Sequence, residues 1–265
     1  MKLFFSGVAG PEEFELLQAA GVKKILVTPF DLHNIPTDWD GELWLDSTAY
    51  PEFKNPRMAM DLDHFLRLAE SRPFVHINAP DVIGDPTLSL LRWRLLKRLN
   101  LPLPFVPVWQ WGSPERFLWE MLDDAPVVAI GGCVPWLKVV TKGQDKEVIN
   151  QAKAQREANF KLLQQLCVVS AEKHGRKRLH ILGNCWEKSL EELIPLLYSS
   201  DTSHWLTPRR SGCCVFRHSK SGRLSKAPAR ALPNAKGWTL DERCIESAKS
   251  MAAFFHNPSG IPMPV

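Results

Sequence analysis

Short apolar runs and amphipathic stretches alternate along most of the chain. KLFF (2–5), KILV (24–27), LWL (43–45), FVHI (74–77), FVPV (105–108), VVAI (127–130) and LHIL (179–182) are brief and rich in branched or aromatic side chains, and SSD (199–201) is a polar stub in the same rhythm. Such runs predict short, buried strands. Between them the apolar spacing changes to three and four. Phe14, Leu17 and Ala20 end at Gly21; Leu88, Leu91, Leu95 and Leu99 follow Asp85-Pro86; Phe117, Met121 and Leu122 follow Ser113-Pro114. These are helical patterns, two of them with proline at the start. Ser189 with Glu192 has the spacing of a capping box and predicts a further helix. The run from about Lys146 to Lys173 predicts one long helix.

Strands alternating with helices predict an α/β fold with a parallel sheet. Eight strands suggest a (β/α)8 TIM-type barrel over residues 1–208, with 209–265 as a basic C-terminal appendage packed on it. A doubly wound open sheet is the alternative, but the first strand-to-helix turn, SGVAGPEE, lacks the glycine fingerprint that binds phosphate. A length of 265 residues suits one large domain. Apolar residues at 45% and charged residues at 23% are ordinary for a soluble globular chain, and no apolar run has the roughly 18 residues a membrane span needs. No membrane partner is expected. The six scattered cysteines and an N-terminus without a signal-peptide pattern predict a reducing, cytoplasmic location.

The net charge of +4 is unevenly placed. Arg209, Arg210, Arg217, Lys220, Arg223, Lys226, Arg230 and Lys236 fall between Thr202 and Leu240, where there is no acidic residue. A concentrated basic segment suits a polyanion, because neutralising phosphates releases counterions. A solvated basic tail is the plainer reading.

In a barrel of this kind chemistry sits at the carboxyl ends of the strands. Those ends carry Asp46 in LWLDSTAYPEF, Asp81 and Asp85 in VHINAPDVIGDP, Gln110 in VPVWQWG, Gly131 and Gly132 in VAIGGCVPW, and Asp201 in SSDTSHWLTPRRSG. Singly, each has a structural explanation: Asp46 as a turn former, Asp85 as a helix cap, the glycines as a tight turn. His76 and His180 lie within strands and read as core histidines. Together, five strand ends deliver polar or backbone-donor groups to one face.

The order LDS, an Asp after the fourth strand, VWQWG, AIGG, LHILGN and a last-strand Asp resembles the guanine transglycosylase superfamily, over about residues 40–212. Within it, APDVIGD and SSDTSHWLTPRRSG look most like the DNA 7-deazaguanine transglycosylases of phages and bacterial modification islands. The resemblance implies exchange of guanine in DNA for a 7-deazaguanine base, with tRNA as the alternative polymer. It implies Asp201 as nucleophile on the sugar and Asp46 as proton shuttle, with Ser47 orienting it. Asp81 would read the guanine edge, Asp85 would share that role or only open a helix, and Gln110 with the Gly131–Gly132 backbone would face O6. His204 would contact sugar or base. Arg209, Arg210, Arg217, Lys220 and Arg223 would hold the phosphates of a flipped or single-stranded site. No cofactor is needed for base exchange. The zinc pattern of the tRNA enzymes is missing, and the remaining candidates (Cys213, Cys214, His218, Cys244, His256) include two adjacent cysteines, a poor ligand pair for one tetrahedral ion. A helper protein or self-association is left open. The rivals are a metal-dependent barrel hydrolase using Asp46, His76, His180 and Asp201, and a non-catalytic nucleic-acid-binding subunit.

Overall fold

Nine short strands, β1 (Lys2–Phe5), β2 (Lys24–Val27), β3 (Glu42–Leu45), β4 (His76–Asn78), β5 (Phe105–Val106), β6 (Val108–Gln110), β7 (Val128–Gly131), β8 (Leu179–Ile181) and β9 (Ser199–Thr202), form one sheet. The computed structural model describes residues 1–132, 145–174, 178–183, 188–218, 221–235 and 237–256. The strand order is β5-β4-β3-β2-β1-β9-β8-β7-β6, and every pairing is parallel. The two edge strands are consecutive in sequence, with Pro107 alone between them. The sheet therefore nearly closes on itself, as in a TIM-type barrel. Pro107 has no N–H for the ladder, which is why FVPV divides into two short strands; its carbonyl still accepts from Ala129 N at 2.9 Å.

Side chains alternate across the sheet with period two. Phe4, Leu26, Trp44, Val106, Val108, Val127 and Ala129 form one cluster, and the rings of His76 and His180 lie 4.4 and 4.2 Å from that of Trp44. This is the barrel interior. The intervening residues, such as Leu3, Phe5, Ile25, Val27 and Leu45, face outward into a second cluster, while Val128, Ile130, Leu179 and Ile181 face a third. At the amino end of the strands Lys2 and Lys24 both pair with Glu42, the former at 3.0 Å. An ion pair there closes the floor, and a polar mouth is left to the other end.

Eight helices are described: α1 (Pro11–Ala19), α2 (Ala49–Lys54), α3 (Leu62–Glu70), α4 (Pro86–Leu99), α5 (Glu115–Asp124), α6 (Lys146–His174), α7 (Thr207–Ser211) and α8 (Leu240–His256). The long helix expected from Lys146 is α6. In α4 the leucine spacing marks a helix but not its packed face. Ser89, Leu90, Trp93 and Leu96 are buried, whereas Leu91 and Leu95 are 51% and 48% exposed. Leu90, Trp93 and Leu96 share helical spacing too, and burying the large indole decides the rotation. The predicted helix at Ser189 is instead a 3-10 segment, Lys188–Leu193. Pro195 follows at once and disfavours helical backbone in the residue before it.

After residue 208 the chain forms α7, an antiparallel hairpin of β10 (Cys213–Arg217) and β11 (Leu224–Pro228), and α8. Cys244, Ala248, Met251, Phe254 and Phe255 of α8 share one hydrophobic cluster with Leu3, Phe5, Phe14 and Leu17 of β1 and α1. The core is thus continuous from the first strand to the last helix. No helix among the described residues is long and apolar enough to cross a membrane.

Candidate active site

The inward-facing register that fills the barrel continues past the carboxyl ends of the strands. Two residues beyond Phe4, Trp44, His76, Val108, Ala129 and Ser199 come Ser6, Asp46, Asn78, Gln110, Gly131 and Asp201. Along this alternation a mainly apolar interior gives way to a level of polar groups and one glycine at the mouth.

Asp201 is 3% exposed and held from both neighbouring strands. Ser6 Oγ, after β1, donates to its Oδ2 at 2.9 Å, and the Gly183 amide, after β8, donates to its Oδ1 at 2.7 Å. His180 Nε2 lies beneath, 3.5 Å from Oδ1. Burial pushes the His180 imidazole below its ordinary range, with the nearby Asp201 charge opposing. Trp205 is fully buried and its indole donates to the Ser6 carbonyl at 2.8 Å, so it clamps the ends of β1 and β9 and does not offer a stacking face. His204 turns to its own loop, with Nδ1 3.1 Å from Thr202 Oγ1.

Asp46 Oδ1 accepts from the Ser47 amide at 2.8 Å and from Asn78 Nδ2 at 2.7 Å. Asn78 is itself oriented by the Trp44 indole, which donates to its Oδ1 at 2.9 Å. The Asp46 carboxyl is raised to about 7: loss of hydration does most, the Asp201 charge adds to it, Asn78 opposes, and Asp81 contributes further. Asp81 is 5% exposed and accepts from Ser47 Oγ at 2.6 Å and from Gln110 Nε2. Burial raises it to about 6, held back by its hydrogen bonds and by the Arg92 guanidinium. Ser47 therefore bridges both acids, its amide to one and its hydroxyl to the other.

The glycine pair makes room for Gln110. A Cβ on Gly131 would lie 3.0 Å from Gln110 Nε2, and one on Gly132, where φ is +72°, would lie 3.0 Å from Gln110 Oε1. Gly132→Ala is accordingly expected to cost about 1–3 kcal/mol, from left-handed backbone strain and a displaced amide. Denaturant melts should detect it; an unchanged midpoint would mean that Gln110 has room to move.

Asp85 is not part of the cluster. It is exposed, and its carboxylate accepts from Leu88 N at 2.9 Å as the N-cap of α4. Arg209 is committed elsewhere, to Glu13 at 2.6 Å and Asp241 at 2.7 Å, and so ties α7 to α1 and α8. Arg217 Nε donates to the Gly222 carbonyl at 2.8 Å inside the hairpin, and Arg223 Nε lies 3.6 Å from Glu191. Lys220 lies outside the described residues. Arg210 is exposed, as is Arg217, and it donates to Ser203 Oγ at 3.1 Å, two residues past Asp201.

Among the described residues no three His, Cys, Asp or Glu are gathered to hold a metal ion. Cys214 and Cys244 are buried, with burial raising both thiols, and Cys213 is free. His218 Nδ1 accepts from Ser221 N at 3.3 Å and His256 is exposed at the end of α8. Nor does His76 turn to the carboxylates, its Nε2 being 2.9 Å from Tyr198 Oη. The chain matches no protein-family model and no curated protein. The connected acids at the mouth are what the functional reading stands on.

Ser6, Asn78 and Gly183 were not singled out by the residue patterns, although all three donate to the acids. A period-two extension from Phe4 and His76 is the signal that finds the first two. For Gly183 the donor is a backbone amide, which no side-chain pattern reveals.

Proposed function

We propose that this chain is a transglycosylase that exchanges guanine in DNA for a 7-deazaguanine base, on an eightfold barrel in which β5 and β6 count as one strand. The observation that carries the reading is two buried carboxyls at one mouth: Asp46 is raised to about 7, by burial first and then by the charge of Asp201, while Asp201 is held by the Ser6 hydroxyl and the Gly183 amide. One carboxyl able to carry a proton and a second able to attack is the division of labour that displacement at an anomeric carbon requires.

In the first step an Asp201 oxygen bonds to C1′ as the C1′–N9 bond breaks, and the departing guanine takes its proton from Asp46. In the second, Asp46 accepts the N9 proton of the incoming base, whose nitrogen attacks C1′ and releases the Asp201 carboxylate. Protons and electron pairs balance, and the covalent stage allows one base to leave before the other enters. Asp81 uses two of its four or so acceptor directions on Ser47 and Gln110, leaving capacity for the N1–H and exocyclic amine of guanine. Adenine and the pyrimidines lack that donor pair.

The test is incubation of the protein with labelled guanine or 7-cyano-7-deazaguanine and either DNA or tRNA, followed by nucleoside mass spectrometry. Label in DNA is the expected result. Label in tRNA alone would change the polymer, and label in neither would reject the reading. The cation assignments have their own test. Arg210→Ala is expected to reduce the salt slope of nucleic-acid binding by about one, whereas Arg209→Ala should leave that slope alone and cost about 1 kcal/mol of stability through its lost ion pairs. Equal slopes for the two variants would count against Arg210.

A further inference from the structure

His180 is fully buried at the middle level of the barrel, and its Nε2 makes no hydrogen bond among the described residues although it lies 3.5 Å from Asp201 Oδ1. Its other nitrogen, Nδ1, is 2.7 Å from Ser199 Oγ. Two tautomers are conceivable for a neutral ring. With the proton on Nδ1, the Nε2 lone pair would face a carboxylate oxygen, which is repulsive; with it on Nε2, the Ser199 hydroxyl donates to Nδ1 and Nε2–H faces Oδ1. The second arrangement is the attractive one. The ring is also fixed in plane by Trp44, centroid to centroid 4.2 Å at 35°.

Asp201 is therefore gripped asymmetrically. Oδ1 faces two donors from β8 and its loop, Gly183 N–H and His180 Nε2–H, while Oδ2 faces the Ser6 hydroxyl alone. The oxygen with more donors is the weaker nucleophile. We propose that His180 is a positioning residue that, with Gly183, holds Oδ1 as the spectator oxygen, so that Oδ2 makes the bond to C1′ and Oδ1 becomes the ester carbonyl. The inference rests on the reaction proposed above.

The assignment has an unequal effect on the two half-reactions. When the ester breaks, the lone pair of the incoming nitrogen forms the bond to C1′, the C1′–Oδ2 pair leaves with Oδ2, and the carboxylate charge is shared with Oδ1, which Nε2–H faces. A donor that favours the carboxylate over the ester assists the step in which the carboxylate is released. Loss of this donor should slow release from Asp201 more than attack by it.

His180→Phe keeps the ring over Trp44 and removes the donor; His180→Gln keeps an amide N–H in its place. The wild type and both variants would be given guanine-containing DNA and labelled base, with exchange rate and denaturation-resistant protein–DNA adduct both measured. In the Phe variant turnover is expected to fall about 10–100-fold while the adduct fraction rises, with Gln restoring most of the rate. Adduct and turnover falling in proportion, or a Phe variant at the wild-type rate, would overturn the role of His180. A wild type that forms neither adduct nor exchanged base would instead remove the underlying reaction. Nitrogen-15 spectra of the histidines give a readout independent of activity. His180 should show a neutral Nε2–H ring whose signal moves in Asp201→Asn, and a proton on Nδ1 would sink the inference even if the reaction stands.

Discussion

Asp201→Asn protein is expected to fold, to bind nucleic acid, and to exchange base at least about 10⁴-fold more slowly than the parent, as when the nucleophile of a covalent mechanism is removed. Asparagine is the informative replacement because the carboxylate is 3% exposed and accepts from Ser6 and Gly183. Alanine would take the acceptor from the Ser6 hydroxyl and the Gly183 amide and leave a gap under the mouth, and so confuse lost chemistry with lost fold. Asparagine keeps an oxygen for Gly183 and fills the same volume. Its amide nitrogen is a poor nucleophile. Binding isotherms, thermal midpoints and exchange rates measured on one preparation separate the outcomes. A non-catalytic binding subunit would behave the same with either residue, so exchange persisting in the Asn protein would end the covalent reading. The same substitution deletes a charge that helps raise Asp46, so the alkaline limb of any residual pH profile should move down in pH.

Asp46→Asn should slow exchange by about 10²–10⁴-fold, the usual range for a lost general acid–base, and at the same time stabilise the protein above neutral pH. Both effects come from one shift. The Asp46 carboxyl is raised from 3.8 to about 7 and Asp81 from 3.8 to about 6, so the folded chain holds these protons more tightly than the unfolded chain does. The resulting stabilisation is complete below pH 4 or so and is lost as pH rises through the folded values. Above pH 7 the native protein carries an ionised Asp46 in poor solvation beside Asp201. The neutral amide avoids that, and a gain on the order of 1–3 kcal/mol at pH 8 is expected, with little difference at pH 4. Catalysis should follow the reverse logic: base departure needs protonated Asp46, and its rate should fall as pH passes about 7. Melting wild type and variant across pH 4–8 tests the claim, and parallel curves would show that Asp46 is not the group responsible.

The candidate site separates what is local in the chain from what is not. The strands were readable because a barrel strand buried on both faces must be a short run of branched or aromatic residues whatever its neighbours are. Each predicted run overlaps a strand, with ends shifted by up to two residues and a break at Pro107, and even the polar stub at 199–201 falls in one, whose four residues Ser199–Thr202 are buried. Asp46, Asp81, Gln110 and Asp201 were readable for a related reason: a polar residue directly after such a run has to stand at one end of the sheet. The α4 leucines gave the helix but not its packed side, because spacing reports helix and not rotation. Only the volume of Trp93 against the sheet settles which side faces inward.

Charge was the least legible property. The basic run after Thr202 looked uniform, yet Arg209 is spent on Glu13 and Asp241, Arg223 lies beside Glu191, and Arg210 is left exposed near the mouth. The ion pair of Arg209 with Glu13 joins residues 196 positions apart, and composition holds no record of it. The same holds for Asp85, which the structure uses as a cap for α4. By itself, then, the sequence determined the alternation of strands and helices and the level at which polar groups emerge, since both follow from local periodicity. Tertiary structure alone decided which donors grip Asp201, that Ser47 bridges two acids, and that Asp46 titrates near neutrality. Those properties arise from distances between segments far apart in the chain, and from the water excluded when the segments meet.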